Sequence, residues 1–225
     1  MKIGLLACDH IQKDFPDYPE LFKDLLPNYS FEIFNVCNGV FPNSASDYEA
    51  WIITGSHLSV YDKIDWIIKL KDFVRDISLA DKYCIGVCFG HQMLGEAMGG
   101  VVQKSEKGWC VGVHEFEILE REDWMRPYYH KVNLLMSCQD QIQFLPKNSK
   151  VLAQSPMCPV GIIRIGNKML GIQGHPEFSA VYVKSLMLDR ANRIGEQTVK
   201  TGIESLNIPM QSRVVAQWIN NFLNQ

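Results

Sequence analysis

Apolar and polar positions follow two rhythms along this chain, and the switches between them mark its elements. Lys2 to Cys8 is a compact apolar run of strand length, and Ser30 to Cys37 alternates at period two. Between them, Phe15 to Leu26 is predicted to hold a short helix ended near Pro27, because proline cannot continue one. Ala50 to Thr54 is a further short apolar strand, broken by Gly55. The period then lengthens: Trp66, Leu70, Phe73, Val74 and Ile77 recur at three and four residues and form one helical stripe, with Asp62 or Asp65 as its cap. Tyr83 to Val87 reads as a buried strand, and Phe89 to Met98 as the helix after it, closed by Gly99 and Gly100.

From about Val101 to Gly174 the pattern shortens to strand candidates at His114 to Leu119, Val132 to Ser137, Lys150 to Ala153, Gly161 to Ile165 and Met169 to Gln173. Ser179 to Gln197 is predicted as helix, and Arg213 to Leu223 as a closing helix. Strands alternating with helices predict an α/β fold of the doubly wound kind. A mostly parallel open sheet would be covered by helices on both faces, with a smaller antiparallel edge in the second half. No repeat or Pro, Gly or Ser-rich linker divides the chain, so residues 1–225 are expected to form a single domain.

Composition narrows the class of protein more than its chemistry. At 225 residues, 47% apolar and 21% charged, the chain is long enough for a sizeable core. A net charge of -3 gives no electrostatic reason to expect a nucleic acid or an anionic membrane as partner. No apolar run approaches the roughly 20 residues of a membrane span. The apolar stretch at the N-terminus runs straight into Asp9 and His10, which favours a first strand over a signal peptide. Seven cysteines, an odd count without framework spacing, imply reduced thiols and a cytoplasmic setting. Cys84 and Cys88 have no second pair to join, so no metal is expected.

Two segments carry chemistry. In Ile85-Gly86-Val87-Cys88-Phe89-Gly90-His91-Gln92 a buried strand turns sharply into a helix with a cysteine on the turn. Unsatisfied N–H groups and the positive end of the helix dipole favour the thiolate of Cys88, the attacking form of the side chain. Gly86 and Gly90 flank it where strand and helix approach closely, and the Phe89 N–H is the natural oxyanion donor. The alternative is that Cys88 is a small buried hydrophobe, as most free cysteines are. Downstream, Gly174-His175-Pro176-Glu177 follows a strand, so that His175 stands at a carboxyl end with Glu177 placed to orient its ring. Alone, that segment reads more readily as a turn histidine and an acidic helix start. His91, His114 and His130 are expected in packing or surface roles. The cluster Trp124, Met125, Pro127, Tyr128 and Tyr129 is open between a partner surface and edge packing.

Together the two segments resemble the class I glutamine amidotransferases, whose glutaminase domains carry a Gly-x-Cys-x-Gly-x-Gln elbow and a later His-Pro-Glu. The resemblance covers most of the chain. It implies a flavodoxin-like fold and a catalytic triad of Cys88, His175 and Glu177, without a cofactor. Thr54-Gly55-Ser56-His57 resembles the loop giving the second oxyanion N–H, which by position is that of Ser56, with Gly55 allowing the turn. Lys107-Gly108-Trp109 resembles the segment beside the glutamine pocket, which implies contacts at Gly108 and Trp109. Ser137-Cys138-Gln139-Asp140 resembles the strand end bordering the substrate's α-amino and carboxylate groups, and Gln92 matches the family's glutamine near the substrate. Cys138 departs from the histidine often found there.

The implied reaction is attack by Cys88 on a γ-carbonyl, giving a thioester that water then hydrolyses. The resemblance covers both a glutaminase subunit, similar to the amidotransferase domain of GMP synthase, and stand-alone enzymes that cleave γ-glutamyl peptides. No phosphate-cradling Gly-x-x-x-x-Gly-Lys-Ser/Thr motif is present, so any nucleotide activation is expected on a separate synthetase. The expected partner is otherwise a small γ-glutamyl substrate. A non-catalytic binding or regulatory protein on this fold is the remaining alternative.

Overall fold

A computed structural model describes residues 1–11 and 14–225. The first half alternates as expected: β1 (Lys2–Ala7), α1 (Tyr18–Leu25), β2 (Ser30–Asn35), β3 (Ala50–Ile53), α2 (Asp65–Leu79), β4 (Tyr83–Val87) and α3 (Phe89–Ala97). The second half continues with β5 (Val101–Lys104), β6 (Cys110–Ile118), β7 (Lys131–Cys138), β8 (Asp140–Phe144), β9 (Ser149–Gln154), β10 (Ile162–Ile165) and β11 (Met169–Ile172). It closes with α4 (Ala180–Asp189), α5 (Ala191–Ile194), α6 (Glu196–Ser205) and α7 (Ser212–Leu223).

Nine strands form one mixed sheet in the order β2-β1-β3-β4-β11-β10-β9-β6-β7. The run from β2 to β11 is parallel. From β11 to β7 the pairings are antiparallel, and β5 pairs with β8 in a separate two-stranded sheet. Side chains alternate across the parallel strands, as period two requires. Ile3 and Leu5 of β1 join Phe22 of α1, Val183 of α4 and Phe222 of α7 in one core. Leu6 points the other way, into a core with Leu70 and Val74 of α2 and Met93 and Leu94 of α3. Helices therefore cover both faces, which defines the doubly wound α/β fold anticipated from the alternation.

Several elements depart from the sequence expectation. β6 begins at Cys110, ahead of His114, because Gly112 interrupts the alternation: its backbone takes φ 82 and α6 packs onto it, so that a Cβ there would lie 2.5 Å from the Gly202 carbonyl. The helix expected over Ser179 to Gln197 is broken at Gly195 (φ 94), and α6 then runs on to Ser205. Neither Asp62 nor Asp65 caps α2 through its side chain; Asp62 instead accepts the Ser59 N–H at 2.9 Å within the preceding loop. In the aromatic cluster, Trp124 and Met125 are buried, with Trp124 edge-on to Phe222 at 5.2 Å, while Tyr128 and Tyr129 are exposed. No helix among the described residues is long and apolar enough to cross a membrane.

Register places the site. Val87 of β4 pairs with Ile172 of β11, and Gly86 pairs with Ile53 of β3. The three strands run parallel, so the loops carrying Ser56, Cys88 and His175 leave the sheet along one carboxyl edge, where open α/β sheets gather their ligands. The far edge also contributes: the His175 N–H donates to the Leu135 carbonyl of β7 at 2.8 Å. The antiparallel strands thereby curl round until β7 meets the end of β11.

Candidate active site

Cys88 caps α3 in a conformation that L-residues rarely adopt, φ 53 and ψ −102. The flanking glycines make this turn sterically possible. A Cβ on Gly86 would fall 2.3 Å from the Gly90 carbonyl oxygen, and one on Gly90 would fall 2.3 Å from the Ile53 carbonyl oxygen. The turn aims the thiol out of the carboxyl edge and leaves it at the N-terminus of α3, whose first-turn N–H groups lack intrahelical partners. Phe89 contributes only its backbone here, since its ring is buried against Trp66 at 5.7 Å.

The His175 Nδ1 lies 2.7 Å from the Glu177 Oε1, and both side chains are almost fully buried. Phe178 stacks flat on the imidazole, with centroids 4.0 Å apart and planes 8° from parallel, so ring rotation is blocked. Gly55 is glycine for a local reason: a Cβ would meet the Tyr18 hydroxyl at 2.6 Å and the His175 Cε1 at 3.2 Å. Burial opposes charge on His175, yet the negative charges of Glu177 and of the Cys88 sulfur outweigh it and push the imidazole up to about 10.

The Cys88 thiol is held well below the ordinary thiol range. The largest cause is the Cys138 side chain beside it; burial opposes the shift, while the charge and hydrogen bonding of His175 and the Phe89 N–H reinforce it. Cys138 moves oppositely, well above the ordinary range, because it keeps its proton as donor to Cys88. The Cys88 and His175 shifts both favour a thiolate–imidazolium pair, with the Cys138 thiol beside it favoured in its protonated form. The rate of Cys88 alkylation by iodoacetamide is accordingly expected to rise at lower pH than for an ordinary thiol. Cys138→Ala should move that inflection to higher pH, and an inflection unchanged in the variant would show that Cys138 does not support the thiolate.

Two clefts meet at the sulfur and share Ser56, His57, Cys88, Ser137 and Arg190. The first, of about 210 Å³, includes His175, Tyr18, Phe178 and Tyr182 in its wall. The second, of about 120 Å³, includes Gln92, Trp109, Cys138, Gln139 and Asp140. Most residues singled out from the sequence are thus brought together. Gly108 borders neither cleft; at φ 83 it turns the chain that presents Trp109. The Gln92 amide is committed to the Asp140 carbonyl at 2.7 Å and to the Gln173 Oε1 at 3.2 Å, so it holds the corner rather than lying free for a ligand. Asp140 itself accepts from the Ser59 and Tyr61 hydroxyls at 2.5 and 3.0 Å. His91 is wholly buried away from the clefts, and burial pushes it down to about 4. No cluster able to hold a metal is found among the described residues.

Sequence reasoning missed Arg190, Arg193, Tyr18 and Tyr182. Phe178, Tyr182, Leu186 and Arg190 are spaced by four, one face of α4 and its flanks. That spacing was a readable signal, though its last member breaks an apolar pattern.

A doubly wound sheet thus sets the Cys88 thiol, on a strained strand–helix turn, beside a carboxylate-bound imidazole carried by the neighbouring strand. The chain matches the class I glutamine amidotransferase model over residues 29–191 and belongs to that family. It is 28% identical to γ-glutamyl peptidase 3 of Arabidopsis thaliana over 202 residues, which cover 84% of this chain and 80% of that protein. It is 31% identical to γ-glutamyl peptidase 4 of the same plant over 192 residues, 81% of this chain and 75% of the other. A shorter match, 37% over 109 residues, joins 48% of this chain to 56% of the glutamine-hydrolysing GMP synthase subunit from Methanosarcina barkeri. The fold superposes on a glutamine amidotransferase from Methylobacillus flagellatus with a TM-score of 0.79 at 18% identity, covering 99% of this chain and 92% of that one.

Proposed function

We propose that this protein hydrolyses γ-glutamyl amide bonds through a Cys88 thioester and acts on γ-glutamyl peptides. The observation that carries the reading is the meeting of two clefts at one sulfur, with the imidazole bordering only the larger. A water needs only about 10–15 Å³ of such space. The cleft of about 210 Å³ is therefore far larger than departing ammonia requires.

In this reading the glutamyl group lies in the smaller cleft, with its amino group toward Asp140 and its acyl chain past Gln92 and Trp109. The Cys88 thiolate attacks the γ-carbonyl carbon, and the backbone N–H groups of Phe89 and Ser56 hold the oxyanion, each worth about 3 kcal/mol. The carbon–nitrogen bond breaks as the His175 imidazolium gives its proton to the departing amine. Neutral His175, kept in one tautomer by Glu177, next takes a proton from water, which attacks the thioester carbonyl. The new carboxylic acid leaves, and the thiolate–imidazolium pair is restored. The match to the GMP synthase component supports a second reading, in which a separate synthetase consumes ammonia released from glutamine.

Initial rates on glutamine and on γ-glutamyl dipeptides, measured without any partner, separate the two. We expect kcat/KM for the dipeptides to exceed that for glutamine by at least about tenfold, the effect of one additional buried contact. Turnover confined to glutamine and dependent on a synthetase would overturn the peptidase reading.

A further inference from the structure

The larger cleft is built to accept a particular kind of amine. Its wall includes Ile11, Phe178, Tyr182 and Leu186, and it ends at Arg190. Phe178 stacks on His175 while Tyr182 stands edge-on to Phe178 at 4.6 Å, so the apolar face begins at the ring that would protonate the amine. Arg190 closes α4, and long helical side chains lean back toward the N-terminus of their own helix. Arg190 thereby borders the junction of both clefts beside Cys88. Among the described residues no carboxylate pairs with it. The carboxylate on this wall, Asp9, is engaged by the N–H and Nδ1 of His57 at 2.8 and 2.7 Å.

The smaller cleft has two cations of its own, Lys104 and Arg193. Arg193 lies over the Trp109 ring at 5.6 Å. One guanidinium thus faces the acyl side and another the junction with the amine side. A half-buried arginine without a partner is a receptor for an anion, and a carboxylate is the anion its planar fork fits best.

Resting on the hydrolase reading above, we infer that the leaving amine is an α-amino acid with an apolar side chain. That side chain lies along the Phe178–Tyr182–Leu186 face and its free carboxylate meets Arg190. Arg190 is then a specificity determinant for the departing half of the substrate.

Four substrates test this with the purified full-length protein: γ-glutamyl-leucine, γ-glutamyl-isopentylamide, γ-glutamyl-glycine and glutamine. The isopentylamide keeps the leucine side chain and lacks only the carboxylate, and the glycine compound does the reverse. We expect γ-glutamyl-leucine to exceed each of these two in kcat/KM by about tenfold to a hundredfold, the range for one charge-assisted hydrogen bond or one buried leucine side chain. Arg190→Gln should lower the leucine-to-isopentylamide ratio by at least about tenfold. Arg190→Lys, which keeps the charge but not the fork, should restore part of it. A ratio near one in the wild type would overturn the inference while the hydrolase reading stands, and so would equal slowing of both substrates by Arg190→Gln, which would assign Arg190 to the glutamyl half. Failure to cleave any γ-glutamyl compound would remove both.

Discussion

Cys88→Ala is expected to lower γ-glutamyl hydrolysis by at least about a thousandfold, to the background of the assay, with the fold retained. In the proposed mechanism the thioester cannot form without this sulfur, and no other thiol is placed to replace it. Cys138 borders the same cleft, but it is pushed above the ordinary range by the neighbouring Cys88 and by burial. The remaining buried cysteines with resolved shifts, Cys8, Cys84, Cys110 and Cys158, are raised by burial. Rates on γ-glutamyl-leucine and a far-ultraviolet circular dichroism spectrum check this together. Activity within tenfold of wild type from a folded variant would sink the thioester mechanism.

The same position permits a sharper comparison. Alanine at residue 88 keeps the strain of φ 53, whereas glycine relieves it. Strain of this kind costs about 1–3 kcal/mol, and glycine returns about 0.5–1 kcal/mol of it through the greater freedom of the unfolded chain. Cys88→Gly should therefore melt a few degrees above Cys88→Ala, about 2–4 °C for each net kcal/mol in a chain of this size. An inactive variant more stable than another inactive one would show that the protein holds the nucleophile in place against its own backbone preference.

Gly90→Ala should be among the most damaging single-methyl changes. The new Cβ would sit 2.3 Å from the Ile53 carbonyl oxygen and 2.9 Å from the Ile53 Cβ, so α3 would have to lift off β3. That helix is buried along nearly its whole length and has no free side toward which to move. Overpacking of a rigid core costs about 1–3 kcal/mol and more where backbone must shift, so a loss of about 3 kcal/mol or more is expected. The melting temperature should fall by about 6–12 °C. Gly99→Ala is the control: its φ of 91, unlike the helical backbone of Gly90, is unsuited to alanine, but nothing lies within 4 Å of the added methyl. Its loss should stay near 1 kcal/mol, the cost of the left-handed backbone alone. Equal melting of the two variants would show that the close approach at Gly90 is not limiting.

Much of this organisation was legible in the residues. β1, β3 and β4 are short apolar runs buried on both faces, and such runs announce themselves without help from distant segments. The elbow was readable because Gly86, Cys88 and Gly90 act on one another within five residues. β5 and β8 were not readable. Val101 to Lys104 and Asp140 to Phe144 are short, polar and largely edge-exposed; Val102 and Ile142 are their inward-facing apolar members, and Ile142 reaches Gly95 of α3. α6 was hidden by Gly195 and by its thin apolar stripe, with only Val199 and Gly202 buried. In the site, Tyr18 and Arg190 come from helices far away in sequence, and their role depends on which loops the sheet order sets beside them. Gly108 illustrates the converse, since the motif match named both Gly108 and Trp109 and only Trp109 borders the cleft.

β7 carries both the Leu135 carbonyl that holds the His175 backbone and the Cys138 thiol that supports the Cys88 thiolate. Cys88 and His175 follow neighbouring parallel strands, yet each is trimmed by the same outlying strand. A shift of β7 along its own axis would detune the sulfur and misalign the ring in one movement. The strand works as a common tuning peg for two strings, and Gln211, whose backbone N–H and side-chain oxygen bond the Asn133 backbone at 3.0 and 2.7 Å, holds both at once.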